Sequence, residues 1–400
     1  MSKLTTKTKN TPELRFPGFS SEWEEKMLGE ICKIQTGNKD TQDRIENGKY
    51  PFYVRSNTVE KINSFSFDGE AILTSGDGVG VGKNFHYIVG KFDYHQRVYS
   101  LNSFDKGYNG KFIYNIFSTR FYKRVKGLSA KNSVDSVRMD MISNMRMYFP
   151  TLPEQQKIVG FLGVVDEWIG NLRKQKESFE SYKKGMMRKI FSQEVRFKDD
   201  NGKDFPEWEE KKLGELGKAF SGLASKGAED FGQGEPFITY KQIFDSSEIN
   251  TQKFSLVKIQ VNERQNKVQF GDILFTTSSE TPLEVGFASV LLSKNFTPYL
   301  NSFSFGIRPN SFDILFPDFS KFFFRNQLFR KEVVKLAQGS TRYNISKVEF
   351  MKIKITLPTL PEQQKIAEFL TLLDKRIESK EQQITKAEIW KKGLLQKMFV

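Results

Sequence analysis

Nine residues, Pro150-Thr151-Leu152-Pro153-Glu154-Gln155-Gln156-Lys157-Ile158, recur unchanged 208 positions later as Pro358-Thr359-Leu360-Pro361-Glu362-Gln363-Gln364-Lys365-Ile366. The similarity continues through Phe161-Leu162 and Phe369-Leu370, then Lys183-Lys184-Gly185 and Lys391-Lys392-Gly393. A second repeat lies upstream of each: Glu22-Trp23-Glu24-Glu25-Lys26 and Leu28-Gly29-Glu30 return 185 positions later as Glu207-Trp208-Glu209-Glu210-Lys211 and Leu213-Gly214-Glu215. Such a period far exceeds the roughly 20–50 residues of a solenoid unit. The chain is a duplicated two-part module, each half a shared opening, a divergent middle and a shared tail. Its 400 residues leave room for two to four domains.

The tails read as long helices. Pro153 and Pro361 suit a first helical turn, where a missing N–H costs little, and Glu154 and Glu362 suit the positive end of a helix dipole. Apolar residues then alternate at spacings of four and three, as in a heptad seam. In the first tail they are Ile158, Leu162, Val165, Ile169, Leu172 and Phe179, continuing to Tyr182, Met186 and Ile190. In the second they are Ile366, Leu370, Leu373, Ile377 and Ile384, continuing to Ala387, Trp390, Leu394 and Met398. Lys176 and Lys380 interrupt the two seams. Neither helix can bury so narrow a stripe alone. The simplest arrangement packs the tails on each other, antiparallel; the alternative packs each on its own domain.

The middles alternate β-prone runs with turn signals. In the first are Tyr50–Val54, Ala71–Thr74 and Arg97–Leu101; in the second, Pro236–Tyr240, Asp272–Thr277 and Ser302–Ile307, with a helical pattern at Phe319–Leu336. They read as α+β domains. Asp68–Ser75 faintly parallels Phe270–Thr277, each a turn, a buried strand and a polar loop, although Gly69-Glu70-Ala71-Ile72 stands where the second has Gly271-Asp272-Ile273.

Charge and scarce residues narrow the chemistry. The net charge is +14, of which residues 32–150 carry +7 and residues 217–357 carry +5. Two basic lobes suit two contacts on one polyanion, with nucleic acid the first candidate. One cysteine and two histidines exclude an internal disulfide and a four-cysteine or Cys2His2 zinc site. Cys32, beside Ile31 and Ile34, reads as a buried structural thiol. No secretory h-region opens the chain and no apolar run approaches a membrane span, so a reducing cytoplasm and no membrane are expected.

Catalytic motifs are missing. Gly76-Asp77-Gly78-Val79-Gly80-Val81-Gly82-Lys83-Asn84 fails the phosphate-loop pattern, with Asp77 in place of the first glycine and Asn84 in place of the Ser/Thr that holds Mg²⁺. It reads instead as a loop whose amides approach phosphate. Pro317-Asp318 has no following Glu-x-Lys of a nuclease, and no methyltransferase motif occurs. His86 and His95 lack a triad-like context. A basic, duplicated chain without such machinery suits a reader of nucleic acid.

The paired Pro-Thr-Leu-Pro-Glu-Gln-Gln-Lys-Ile motifs, the Trp-Glu-Glu-Lys…Leu-Gly-Glu openings at 23–30 and 208–215 and Gly271-Asp272-Ile273-Leu274 resemble the specificity subunit of type I restriction–modification enzymes, over residues 12 to 400. The resemblance implies a pseudo-two-fold α+β chain: a tail at 1–11, target recognition domains at 12–150 and 195–357, and spacer helices at 151–194 and 358–400 forming an antiparallel coiled coil that spaces the domains. Each domain would read half of a bipartite, asymmetric double-stranded DNA target. Two modification (methylase) subunits would dock on the frame and methylate adenine, and restriction subunits would add translocation and cleavage. S-adenosylmethionine, ATP and Mg²⁺ would belong to those partners, leaving this chain non-catalytic and without cofactor or metal. The rivals are an RNA-binding or scaffold protein without DNA specificity and, less favoured, a self-sufficient nuclease.

Base readout needs directed donors and acceptors on loops at strand ends. The candidates are Arg55, Ser56, Asn57, Thr74, Ser75, Lys83, Lys131 and Asn132 in the first domain. In the second they are Tyr240, Lys241, Thr276, Thr277, Ser278, Arg342, Tyr343 and Asn344.

Overall fold

The computed structural model describes residues 10–78, 80–128 and 136–400. The chain divides into two compact units, residues 1–173 with 382–400 and residues 174–381, so both boundaries fall inside the long helices Leu152–Phe191 and Leu360–Met398.

Each unit contains the same frame, built from the repeated motifs. After the buried tryptophan, Glu24–Met27 pairs antiparallel with Arg146–Phe149 in the first unit, and Glu209–Lys212 pairs with Lys354–Leu357 in the second, in matching register. The Leu-Gly-Glu motif then makes a one-turn helix. Glu30 accepts from the Met27 N–H at 2.8 Å and Glu215 from the Lys212 N–H at 3.1 Å, which satisfies an otherwise orphaned donor. The glycine is a packing requirement: a Cβ on Gly29 would sit 2.9 Å from the Ser143 Cβ, and one on Gly214 would sit 3.3 Å from the Met351 carbonyl oxygen.

The seam residues pack both ways within each unit. Ile158, Leu162, Val165, Ile169 and Leu172 share one core cluster with Ile384, Ala387, Leu394 and Met398, and with Trp23, Phe112 and Phe149 of the first domain. Ile366, Leu370 and Leu373 join Ile190 and Phe191, and with them Trp208, Phe319 and Phe350 of the second. The helix segments run antiparallel in both units, as the ion pairs show: Asp166–Lys391 and Arg173–Glu388 in the first, Lys176–Glu381 and Lys183–Asp374 in the second. Lys176, which interrupts the seam, is therefore charge-paired at its edge. Phe179 and Ile377 are only half-buried. Tyr182 and Trp390 depart from the expected stripe altogether: they are 51 and 48 % exposed, because they occupy the flank of the helix and not the seam.

Above this frame the middles differ. The first carries a six-stranded sheet in the order Lys33–Thr36, Val98–Asn102, Phe67–Ser75, Phe85–Tyr94, Tyr50–Tyr53, Val59–Ile62, packed on the helix Gly110–Leu128. That 19-residue helix buries Phe112, Phe117, Phe121 and Val125, aromatic and β-branched residues that in sequence read equally well as strand. The second splits into a four-stranded sheet (Gly217–Ser221, Ser304–Pro309, Ile273–Thr276, Ala288–Val290) and a three-stranded one (Ser255–Val257, Phe231–Ile238, Tyr299–Leu300). The helical pattern at 319–336 is two helices, Pro317–Phe323 and Gln327–Lys335.

Strand register decides the residue alignment of the middles, where Gly69-Glu70-Ala71-Ile72 carries one residue more than Gly271-Asp272-Ile273. Ile34 faces Leu101, which faces Ile72; the corresponding Ala219 faces Ile307, which faces Ile273. Ile72 therefore corresponds to Ile273 and not to Leu274. With a side-chain period of two, such a slip moves every side chain to the opposite face.

Candidate nucleic-acid interface

The repeated nine-residue motif does not form the variable surface; it locks helix to domain. Arg15 makes two 2.7 Å hydrogen bonds to Glu154, which is 1 % exposed. Arg196 does the same to Glu362, at 3.2 and 2.8 Å, with a third bond from the Trp208 indole N–H at 3.2 Å. Each guanidinium stays firmly protonated beside its carboxylate. The next residue closes the loop ahead of the helix. Gln155 accepts from the Asn109 N–H and donates to the Gly107 and Pro150 carbonyls; Gln363 accepts from the Phe316 N–H and donates to Ile314 and Pro358. The helix dipole invoked from sequence is thus the lesser part of the glutamate's role. The missed partner had a signal, since Leu14-Arg15-Phe16 returns as Val195-Arg196-Phe197.

The variable surface lies at the strand ends, where backbone hydrogen bonds put the units in correspondence. His95 N–H donates to Tyr53 O and Asn301 N–H to Ile238 O; Gly76 N–H donates to Arg97 O and Thr277 N–H to Phe303 O; Val137 N–H donates to Gly76 O and Ile345 N–H to Thr277 O. Counting along each chain segment, Arg55 corresponds to Tyr240, Asp77 to Ser278 and Arg97 to Phe303. Even the turns match: Arg97 N–H donates to His95 Nδ1 at 2.9 Å, and Phe303 N–H to Asn301 Oδ1 at 3.0 Å.

In the first unit this place holds charge. Arg55 Nη1 lies 3.1 Å from one Asp77 oxygen and Arg97 Nε lies 3.7 Å from the other. The loop is held from below by Asn84, which donates to Arg55 O at 2.9 Å, and His86 Nε2 lies 3.3 Å from Ser56 O. Burial pushes both histidines below their usual pKa, and Arg55 adds to this at His95, so both stay neutral near pH 7.

In the second unit it holds a cavity of about 350 Å³ lined by Tyr240, Phe244, Phe303, Ser278, Ser279, Glu280, Glu284 and Arg342. The Tyr240 hydroxyl donates to Ser278 O at 2.6 Å, and Tyr240 stacks near Phe244. The buried Ser278 Oγ has no hydrogen-bond partner among the described residues. Arg325 fixes the short helix that carries Tyr240, donating to the Ile243, Phe244 and Ser246 carbonyls.

Several sequence candidates sit elsewhere. Thr74, Ser75 and Thr276 are at most 1 % exposed, so as framework they are corrected out of the readout set. The Thr276 hydroxyl accepts from the Phe287 N–H at 2.9 Å. Ser56, Asn57, Lys83, Lys241 and Asn344 are exposed, and Thr277 and Tyr343 half-buried. Lys83 lies over the Tyr122 ring and Lys241 pairs with Asp245. Lys131 and Asn132 lie outside the described residues. Asp77, Arg97 and Phe303 were missed, because only strand pairing brings them beside Arg55 and Tyr240. Cys32 is buried, its thiol pushed up to about 12 by loss of solvent, as a structural thiol should be. No helix, among the described residues, is long and apolar enough to cross a membrane.

Comparison with known proteins agrees with this architecture. The profile of the Type I restriction modification DNA specificity domain matches twice, at residues 20–180 and 206–388. The type I restriction enzyme MjaVIII specificity subunit of Methanocaldococcus jannaschii is 25 % identical over 431 residues, covering 97 % of this chain and 95 % of that one. The EcoDI specificity subunit of Escherichia coli is 27 % identical over 187 residues, covering 47 % of this chain and 40 % of its own. Among solved structures, the S subunit of a type I restriction-modification system from M. genitalium shares the fold with a TM-score of 0.57 at 17 % identity, covering 98 and 99 % of the two chains. A chain solved in work on assembly and conformational transition of the type I R-M system gives 0.61 at 15 %, covering 96 and 98 %.

Proposed function

The chain belongs to the type I restriction modification DNA specificity family and is a specificity subunit with two recognition domains, and from that premise we propose how its surfaces divide the work. Each domain reads one half of a bipartite double-stranded DNA target through the strand-end loops around Arg55 and Tyr240. The chain supplies recognition and leaves catalysis to partners. Two methylase subunits bring S-adenosylmethionine, and restriction subunits, where present, bring ATP and Mg²⁺, all in the cytoplasm.

The observation that carries this reading is one frame built twice with unlike contents at one place: Arg55, Asp77 and Arg97 against Tyr240, Ser278 and Phe303. Unlike contents at one corresponding place, in domains that diverge above a repeated frame, fit two readers of two different sequences.

The docking face for the methylases is the flank of the paired helix segments. In the first unit Trp168 and Trp390 stand 6.3 Å apart, each about half-exposed, with Phe161 6.2 Å from Trp390. Exposed tryptophans grouped on a rigid helix pair are the residues that protein interfaces enrich.

The test is an exchange of residues 32–150 for the same segment of another specificity subunit, followed by mapping of methylated sites. One half-site is expected to change and the other to persist. Loss of specificity at both halves together would overturn the division of labour.

A further inference from the structure

We propose that Arg55, Asp77 and Arg97 form a guanine-reading station that sets one base of the half-site read by the first unit. This inference rests on the DNA-recognition reading above and names the base chemistry it leaves open.

Three strand ends supply the three residues: Arg55 two positions past the strand Tyr50–Tyr53, Asp77 two past Phe67–Ser75, and Arg97 immediately before Val98–Asn102. Residues 22 and 20 apart in sequence thereby converge on one carboxylate. The Asp77 side chain is 28 % exposed, while those of Arg55 and Arg97 are 46 and 66 % exposed. The carboxylate forms the floor and the guanidiniums the rim.

Among the described residues, the pairing geometry leaves the useful donors free. Asp77 engages Arg97 through Nε and Arg55 through Nη1, and neither guanidinium has another side-chain or carbonyl partner among the described residues. Toward the described residues, Arg97 keeps both Nη groups and Arg55 keeps Nη2 and Nε. Two parallel N–H donors in a fixed plane match the O6 and N7 acceptors of guanine in the major groove, the commonest specific protein–DNA contact. The adjacent carboxylate does two further things. It holds the Arg55 guanidinium by a 3.1 Å hydrogen bond and draws Arg97 as an ion pair at 3.7 Å before DNA arrives, lowering the entropic cost of a directed contact. It also cancels half of their charge, which weakens plain attraction to phosphate while leaving hydrogen-bond direction intact.

The second unit serves as the internal control. At the corresponding positions Tyr240, Ser278 and Phe303 present an aromatic cavity with no charge among the three. The shared frame therefore does not require the charged trio, which marks it as content and not scaffold.

The experiment selects a randomised DNA duplex pool with the full chain assembled with its methylase subunits, for the wild type, Arg97→Ala and Asp77→Asn. The wild type should enrich guanine at one position of the half-site assigned to the first unit by the domain exchange. Arg97→Ala should lose that preference by roughly 5- to 150-fold, the discrimination of one bidentate pair, with the other half-site unchanged. Placing 7-deazaguanine at that position should weaken wild-type binding and have no further effect on Arg97→Ala. Because Arg97 is largely exposed, the variant's melting temperature should match the wild type, and an unchanged melt keeps the readout interpretable. If Arg97→Ala weakens all duplexes alike and flattens the salt dependence, the residue contacts phosphate and the station is refuted while the recognition reading stands. If the wild type enriches no sequence at all, the recognition reading itself fails.

Discussion

At the strand ends the first unit carries Arg55, Asp77 and Arg97 where the second carries Tyr240, Ser278 and Phe303. At the helix entrances both units carry the same Arg–Glu–Gln lock, Arg15–Glu154–Gln155 and Arg196–Glu362–Gln363. The contrast separates two kinds of constraint. A buried carboxylate admits few solutions, because an unpaired charge away from water is costly. An exposed station admits many, because solvent satisfies whatever the ligand does not. The lock stays the same where desolvation enforces it, and the strand ends, where Arg55, Arg97 and Phe303 are exposed, diverge where it does not.

The two locks are alike but not equal, and the difference can be broken open. Trp208 adds its indole N–H to Glu362, whereas the Trp23 indole nitrogen is buried without a partner among the described residues. Removing either glutamate takes two charge-assisted bonds from a guanidinium that keeps, among the described residues, only backbone carbonyls and, for Arg196, the exposed Glu207, and is expected to cost about 3 kcal/mol. Glu362→Ala, which also orphans Trp208, should exceed Glu154→Ala by about 1 kcal/mol. Urea denaturation followed separately in the two units checks the ranking; equal losses would mean the tryptophan bond contributes nothing.

The helix flanks differ next. The positions that hold Trp168 and Trp390 in the first unit hold Arg376 and Tyr182 in the second. If methylase subunits dock there, Trp390→Ala should weaken assembly by about 2 kcal/mol, as interface tryptophans do, and Tyr182→Ala by less. Titration of methylase onto each variant, read by sedimentation, distinguishes two unequal docking events from two equivalent ones.

Within the second unit, Arg342→Ala is expected to reduce discrimination at its half-site by about 1–3 kcal/mol. It should leave the other half-site alone; equal effects at both halves would count against separate readers.

The smallest effect concerns Asp272, fully buried and held by Arg308 through 2.9 and 2.7 Å bonds. Strand register puts Ala71 and Asn102 at these places in the first unit. Transplanting that solution, Asp272→Ala with Arg308→Asn, should change stability by no more than about 1 kcal/mol, since a buried ion pair barely outweighs its desolvation. Burial pushes the Asp272 carboxyl above its ordinary pKa despite Arg308 and the Gln269 N–H. A raised carboxyl contributes stability that is full below the unfolded pKa and is lost as pH rises through the folded one. Wild type should therefore lose ground to the double variant as pH rises from the ordinary aspartate range; a constant difference would refute the shift.

Much of the architecture was legible in the chain. The duplication, the two long helices, most of the seam from Ile158 to Leu394 and several strands follow from repeated motifs and periodic apolar residues, which are local signals. Tyr182 and Trp390 escaped because a heptad count cannot distinguish the seam from its flank once two helices and a domain share the same stripe. The helix Gly110–Leu128 escaped because its aromatic, buried positions read equally well as strand.

The sequence by itself determined that this chain is one frame written twice, basic in both halves and poor in catalytic side chains. Tertiary structure alone decided which variable residues stand at the same place in the two halves. That depends on strand register, where a shift of one residue turns every side chain to the other face. It depends equally on backbone hydrogen bonds between segments about twenty residues apart, such as Gly76 to Arg97, which bring Arg55, Asp77 and Arg97 together.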